Sequence, residues 1–197
     1  MNKHTITTLS LSGIVIIIAA TLFFIDAPQA GGGGKYIQFN GQGDLLLPKG
    51  KIWRKWIYVG TPLTPNGLNK PEAAFPEFHS VYIDPKSYAE WEKTGKFREG
   101  TVIAKELTLV GSTSAVSGKG YFMGEFQGFE IAYKSKKRFP NEPGNWAYFT
   151  FGHKPEPYNT KAKAQPTAAC ATCHQASAAD DMVFTQYYPV LRATKGR

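Results

Sequence analysis

The sequence has little cysteine, histidine and methionine: 2, 4 and 3 residues among 197. Two cysteines exclude the disulfide framework that staples many small exported domains. The scattered histidines His4, His79 and His153 give the cysteines no second ligand pair at zinc spacing. Acid is also scarce, with 15 Asp+Glu against 23 Lys+Arg and a formal net charge of +8. There is one long apolar run, near the N-terminus, and no internal repeat or low-complexity block.

What is there begins with the placing of those two cysteines. They fall three residues apart and are followed at once by histidine, in Cys170-Ala171-Thr172-Cys173-His174. This is the attachment signature of a c-type haem. Each thiolate adds to a haem vinyl group, one turn of chain spans the gap between the vinyls, and the next residue falls beneath the iron as axial ligand. A thioredoxin-like dithiol would need a βαβ context, and Lys161 to Ala169 read as loop. One covalently bound haem c is therefore expected, with His174 as the iron ligand.

Met1 to Ala30 reads as an export signal, with Lys3 in a short polar start and an apolar run from Leu9 to Ile25. The run is long enough that an uncleaved N-terminal anchor is the alternative. Either way the body of the protein is expected outside the cytoplasm, in the periplasm, where c-type attachment takes place. That location argues against nucleic acid as a partner. Gly31 to Gly34 is a flexible spacer, and residues 35–197 suffice for one domain with its own core. The densest basic run, Lys134, Lys136, Lys137 and Arg138, is either a solvated face or a docking patch for an acidic redox partner.

Pattern reading gives mostly strands: Lys51 to Val59, Phe78 to Ile83, Thr101 to Val110, Tyr121 to Phe126, Phe129 to Tyr133 and Trp146 to Phe151. Asp84-Pro85 opens a helix as N-cap and first helical residue, Tyr88 and Trp91 share its inner face, and Gly95 stops it. Thr64 to Pro76 reads as a long loop, and Gly111 to Gly118 as a small-residue turn. A second helix is expected over Ser177 to Tyr188, ended by Pro189. Low helix content and sequential strands predict an α+β domain on a mainly antiparallel sheet.

Alternation along Thr101 to Val110 puts Ile103, Lys105, Leu107 and Leu109 on one face. Lys105 thus interrupts an apolar row, where it must snorkel, find a partner or be chemically used. An edge strand with an inward charge that discourages aggregation is the alternative. Glu130, between Phe129 and Ile131, is either a solvent-facing strand residue or a pocket carboxylate serving as proton acceptor. The candidates for a sixth iron ligand are Met123, Met182, His79 and His153. None has a ligand-like setting, and Met182 follows His174 too closely to cross the haem plane. An open iron site, suited to gas binding or catalysis rather than plain electron transfer, is expected.

Five segments carry a wider resemblance: WIYVGTPLTPNGLN (Trp56 to Asn69), FPEFHSVYIDP (Phe75 to Pro85), GTVIAKELTLVG (Gly100 to Gly111), GFEIAYKSKKRFPNEPGNWAYFTF (Gly128 to Phe151) and CATCH. Together they resemble the cytochrome P-460 family, lysine-cross-linked mono-haem cytochromes that oxidise hydroxylamine, and their non-cross-linked relatives, the cytochromes c′-beta. The resemblance implies a mainly antiparallel sheet with flanking helices, in a homodimer. It matches Lys105 to the lysine bonded to a haem meso carbon, and Glu130 to the distal carboxylate that assists proton removal, with Glu125 as the alternative. Cys170 and Cys173 match the thioether cysteines and His174 the proximal ligand. It implies hydroxylamine oxidation to nitrous oxide or nitric oxide, with electrons passing to a soluble acceptor such as another c-type cytochrome. The cytochromes c′-beta have a hydrophobic distal face and bind nitric oxide or carbon monoxide. Carrying both Lys105 and Glu130 places this chain with the catalytic members.

Overall fold

The computed structural model describes residues 36–197, so the expected leader (1–30) and glycine spacer (31–34) lie outside the described residues. The strands, in chain order, are β1 (Leu45–Leu46), β2 (Ile57–Gly60), β3 (Phe78–Ile83), β4 (Val102–Ala115), β5 (Gly118–Lys134), β6 (Trp146–His153) and β7 (Lys161–Ala162). β2 to β6 form one antiparallel sheet in sequence order, and β1 pairs with β7 in a second. The helices α1 (Pro85–Thr94), α2 (Ala171–Ser177) and α3 (Pro189–Thr194) complete an α+β domain, as the pattern implied. Among the described residues no helix is long and apolar enough to cross a membrane.

Helix α1 starts and stops where its caps require. Asp84 Oδ1 accepts the Ser87 amide at 3.0 Å, and its Oδ2 accepts the Val102 amide at 2.9 Å. One buried carboxylate thus caps the helix, worth about 1 kcal/mol, and also anchors the start of β4. Gly95 ends the helix at φ 66, left-handed backbone that favours glycine. Trp91 is buried, and its indole N–H donates to the Leu191 carbonyl at 2.8 Å, docking α3.

The sheet buries both faces. Val102, Ala104, Phe129, Ile131, Phe149 and Phe151 pack on one side against Trp53, Trp56 and the β1–β7 ribbon. Ile103, Trp146, Tyr148, Val81 and Ile83 pack on the other against Trp91, Ala171, Val183 and Leu191. Side chains alternate across each strand, so consecutive residues of β4 belong to different cores.

Several expected elements differ. Lys49–Lys55 is 3-10 helix, with Gly50 and Lys51 at positive φ, and only Ile57–Gly60 of the expected first strand is extended. The apolar residues there, Ile52 and Trp53, are helical residues packed on the sheet rather than one face of a strand. Gly111 to Gly118 is not one turn. β4 runs on to Ala115 and β5 returns from Gly118, forming a long hairpin arm with several bulges. In that arm Gly111 and Gly124 touch back to back, and a Cβ on Gly111 would lie 2.6 Å from Gly124 Cα. The expected break at Gln127-Gly128 is absent, because β5 passes through it continuously. Lys161–Ala169 is not all loop, since it includes β7. Finally, no helix spans Ser177 to Tyr188. Asp181 (φ 41) and Met182 (φ 67) turn the chain there, and Pro189, with no N–H to lose, opens α3 instead of ending a helix.

Candidate haem-binding site

The cysteine–histidine motif enters α2, with Cys170 as its N-cap and Cys173 and His174 inside the first turns. Cys170 is half-buried, Cys173 exposed, and neither is in a disulfide. His174 Nδ1 donates to the Met182 carbonyl at 2.7 Å, and the Tyr148 hydroxyl donates to the same oxygen at 3.4 Å. The left-handed turn at Asp181-Met182 presents that carbonyl. The imidazole is gripped between Tyr148 and Phe184, with ring centroids 4.5 and 4.6 Å away. A carbonyl on Nδ1 fixes the tautomer and leaves Nε2 as the nitrogen that binds metal. Burial first, and the Lys105 charge as a lesser influence, hold the ring's pKa below its usual value, which favours the neutral ligand form.

Opposite this helix, strand register arranges the sheet face in rows. Ile83, Ile103, Ala132 and Tyr148 form an apolar row under His174; Val81, Lys105, Glu130 and Thr150 form the next; His79, Leu107 and Gly128 form a third, which reaches His153 across a bulge. The middle row carries the charges. Lys105 and Glu130 are direct cross-strand partners, and Lys105 Nζ lies 2.6 Å from Glu130 Oε2. The ammonium also sits 4.8 Å from the Phe75 ring centroid. Both charges are near enough to the motif to influence Cys170, whose thiol pKa is raised by burial and then by Glu130.

This geometry answers the open readings of Lys105. β4 is the central strand of five, so the edge-strand reading is overturned. Lys105 has Glu130 as its ion-pair partner. Glu130 is half-buried, 27 % exposed. Glu125 is exposed on the hairpin arm. Gly128 keeps the adjoining surface low, because a Cβ there would come within 3.0 Å of Leu107 Cδ1.

The four sixth-ligand candidates separate clearly. Met123 is 52 % exposed on the arm, and Met182 lies on the His174 side through its carbonyl. His153 Nε2 is 2.6 Å from Glu77 Oε1. His79 faces the same side as Lys105, and burial, then the Lys105 charge, push its pKa down to about 4. Reading the sequence for ligands named His79 but gave it no ligand-like setting, although its alternation with Val81 and Ile83 held the signal that it shares this face. Glu77 and the backbone carbonyl of Met182 were missed, and a carbonyl acceptor has no residue-type signal at all.

Among the described residues no group of three or more His, Cys, Asp or Glu could hold a metal ion by itself. A metal at His174 would need further ligands from outside those residues, as haem iron has in the pyrrole nitrogens. The two thiols on one helical turn, the Met182-anchored imidazole and the apolar row facing it fit a covalently held haem. Of the basic run, Lys136, Lys137 and Arg138 are exposed, while Lys134 bonds to the Gly144 carbonyl at 2.6 Å and to Asp181 at 2.9 Å. In comparisons with known proteins, the family described as cytochrome P460 matches residues 50–185, most of the chain and all of the site. No curated protein matches it.

Proposed function

The chain belongs to the cytochrome P460 family, and from that premise we propose that it is a periplasmic mono-haem c-type cytochrome oxidising hydroxylamine to nitrous oxide or nitric oxide. Cys170 and Cys173 would hold the haem as thioethers, His174 Nε2 would bind its iron, and Lys105 would add a third covalent tie, in which its nitrogen replaces a meso hydrogen and the two electrons released go to an added oxidant of the peroxide class. When bound, the haem supplies an iron that accepts electrons from the substrate and passes them on. The chain's residues do the rest. Met182 and Tyr148 hold the imidazole in orientation, and the apolar row excludes water from beneath it. Glu130 accepts a proton at its carboxylate as hydroxylamine gives one up. Lys136, Lys137 and Arg138 are suited to steering an acidic acceptor such as another c-type cytochrome. A homodimer is part of this reading.

One observation carries it: Lys105 and Glu130 are paired 2.6 Å apart on the sheet face opposite the haem motif. A lysine that gives a proton to the neighbouring carboxylate is a nucleophile, and once the carboxylate has passed that proton to water it has no cation partner and is a better proton acceptor. The same ion pair also favours a second reading, because an ammonium that keeps its proton forms no bond. The protein would then bind nitric oxide, in the manner of the cytochromes c′-beta, without turning substrate over.

The deciding experiment is a haem peptide map of the holoprotein alongside hydroxylamine oxidation by wild type and Glu130→Gln. The proposal expects a haem peptide containing Cys170, Cys173 and Lys105, and a turnover loss of roughly 10²-fold in the variant. Lys105 recovered in a free peptide would leave the gas-binding reading. Undiminished turnover in Glu130→Gln would remove the proton-acceptor role.

A further inference from the structure

The His174 side of the site hangs on a turn that its own backbone does not favour. Asp181 and Met182 are consecutive non-glycine residues in the left-handed region, at φ 41 and φ 67. Such residues keep that conformation where surrounding groups hold it. The Val183 amide closes the turn by donating to the Asp180 carbonyl at 2.8 Å. The Met182 carbonyl is the acceptor for His174 Nδ1, so a shift of the turn is felt at the imidazole. Gly144 lies against the turn at φ 58, and a Cβ there would come within 2.9 Å of Met182 Cγ and 3.0 Å of Asp181 Oδ1.

One side chain joins these pieces. Lys134, at the end of β5, donates through Nζ to the Gly144 carbonyl at 2.6 Å. It also reaches Asp181, Oδ2 at 2.9 Å and Oδ1 at 3.2 Å. The ammonium lies 5.5 Å from the Trp146 ring centroid, and the side chain is only 17 % exposed. Its three donors thus bridge the main sheet, the segment at Gly144 and the turn at Asp181-Met182. We propose that Lys134 is a positioning residue for the iron ligand: it clamps the Asp181-Met182 turn to the sheet, so that the Met182 carbonyl keeps its grip on His174 Nδ1. A carbonyl that accepts from a ligating imidazole raises the basicity of the ring and strengthens its bond to the metal. Lys134 therefore governs how strongly the imidazole donates, while touching neither the ring nor the iron. Its role differs from that of Lys136, Lys137 and Arg138, whose side chains are exposed. The inference rests on the reading of His174 as the haem ligand. It needs neither the Lys105 tie nor hydroxylamine turnover.

The test is resonance Raman spectroscopy of the ferrous holoprotein, which reads the iron–imidazole stretch, with the midpoint potential measured on the same samples. Lys134→Met and Asp181→Gly each sever the tie but change the local charge in opposite senses, and glycine suits the left-handed backbone at position 181. Asp181→Asn keeps an acceptor for Lys134 and tolerates that backbone. The stretch should fall in frequency in Lys134→Met and in Asp181→Gly, and stay close to the wild-type value in Asp181→Asn. Potentials that move in opposite directions in the two severed variants, with the stretch unmoved, would make Lys134 a nearby charge and overturn the proposal. A lower melting temperature with the stretch unmoved would make it a support of the fold alone, with the same result. Wild type without an iron–imidazole stretch would sink the reading of His174 as the single axial ligand, and the inference with it. A wild-type stretch that no variant shifts would sink the inference and leave that reading standing.

Discussion

Lys105 and Glu106 are consecutive residues on the central strand, and each belongs to a charge pair on its own side of the sheet. Glu106 is 1 % exposed and receives Arg54 bidentately, Nε at 3.1 Å from both oxygens and Nη2 at 2.7 Å from Oε1. Arg54 is 31 % exposed, stacks 4.2 Å above Phe126 and also reaches Glu156 at 3.2 Å. Fork-on-carboxylate geometry fixes both partners and fills their bonding capacity. Lys105 and Glu130 instead meet through one contact, at 25 and 27 % exposure, on the face that confronts the haem motif. A single point-charge contact in a partly open site is easily exchanged for another partner. The same strand therefore carries a locked pair for the fold and a loose pair available for chemistry.

The locked side should break hardest. Arg54→Met strands the Glu106 carboxylate in the core, and we expect a loss of about 3 kcal/mol, the low end for a broken buried pair because Arg54 reaches solvent. Urea denaturation of the holoprotein measures it, and the Soret band should not move. The double variant Arg54→Met/Glu106→Leu should regain much of that loss, since apolar substitutes suit a buried pair's volume. A single variant as stable as wild type would mean that the pair is not a structural lock.

How far the sequence disclosed this contrast depends on the distance between partners. The motif Cys170 to His174 is local, so the candidate attachment site stood out in the sequence, and the caps Asp84 and Gly95 disclosed α1 for the same reason. Alternation assigned Lys105 and Glu106 to opposite faces. It could not name their partners. Arg54 sits in a segment whose aromatic, β-branched composition read as strand, although its backbone is 3-10 helix. The pairing of Lys105 with Glu130 depends on a hairpin register that passes several bulges and a long arm, which local pattern does not fix. His79 lay on a legible face, but its burial depends on tertiary packing.

The ligand face should show itself next through pH. The pKa of His79 lies near 4 in the folded protein, against about 6.5 for a free imidazole. The folded state therefore prefers the neutral ring, and the unfolded chain takes up the proton first as pH falls. Stability from this residue is full above about pH 6.5 and is lost progressively down to about pH 4, a swing of about 2–3 kcal/mol. Denaturation of wild type and His79→Leu at pH 7 and pH 4.5 isolates it. The gap between the two pH values should shrink in the variant. An unchanged gap would mean that the ring is not desolvated on this face. Arg54→Met should leave the His79 contribution intact, since the two groups are on opposite sides of the sheet.

The smallest stability effect belongs to the pair of greatest chemical interest. Lys105→Leu removes one half of a partly exposed ion pair, worth below about 1 kcal/mol. The leucine joins an apolar strand face between Ile103 and Leu107, which offsets part of that loss. We expect the melting of Lys105→Leu holoprotein to stay close to wild type, while the haem spectrum changes from that of a cross-linked to that of an ordinary c-type haem. A change in both would mean that Lys105 supports the fold as Arg54 does, and the contrast between the faces would fail. A change in neither would mean that the lysine is only a salt-bridge partner to Glu130. Only the combination, little loss of stability with a large spectral shift, fits a lysine that the sheet presents to its prosthetic group for chemistry.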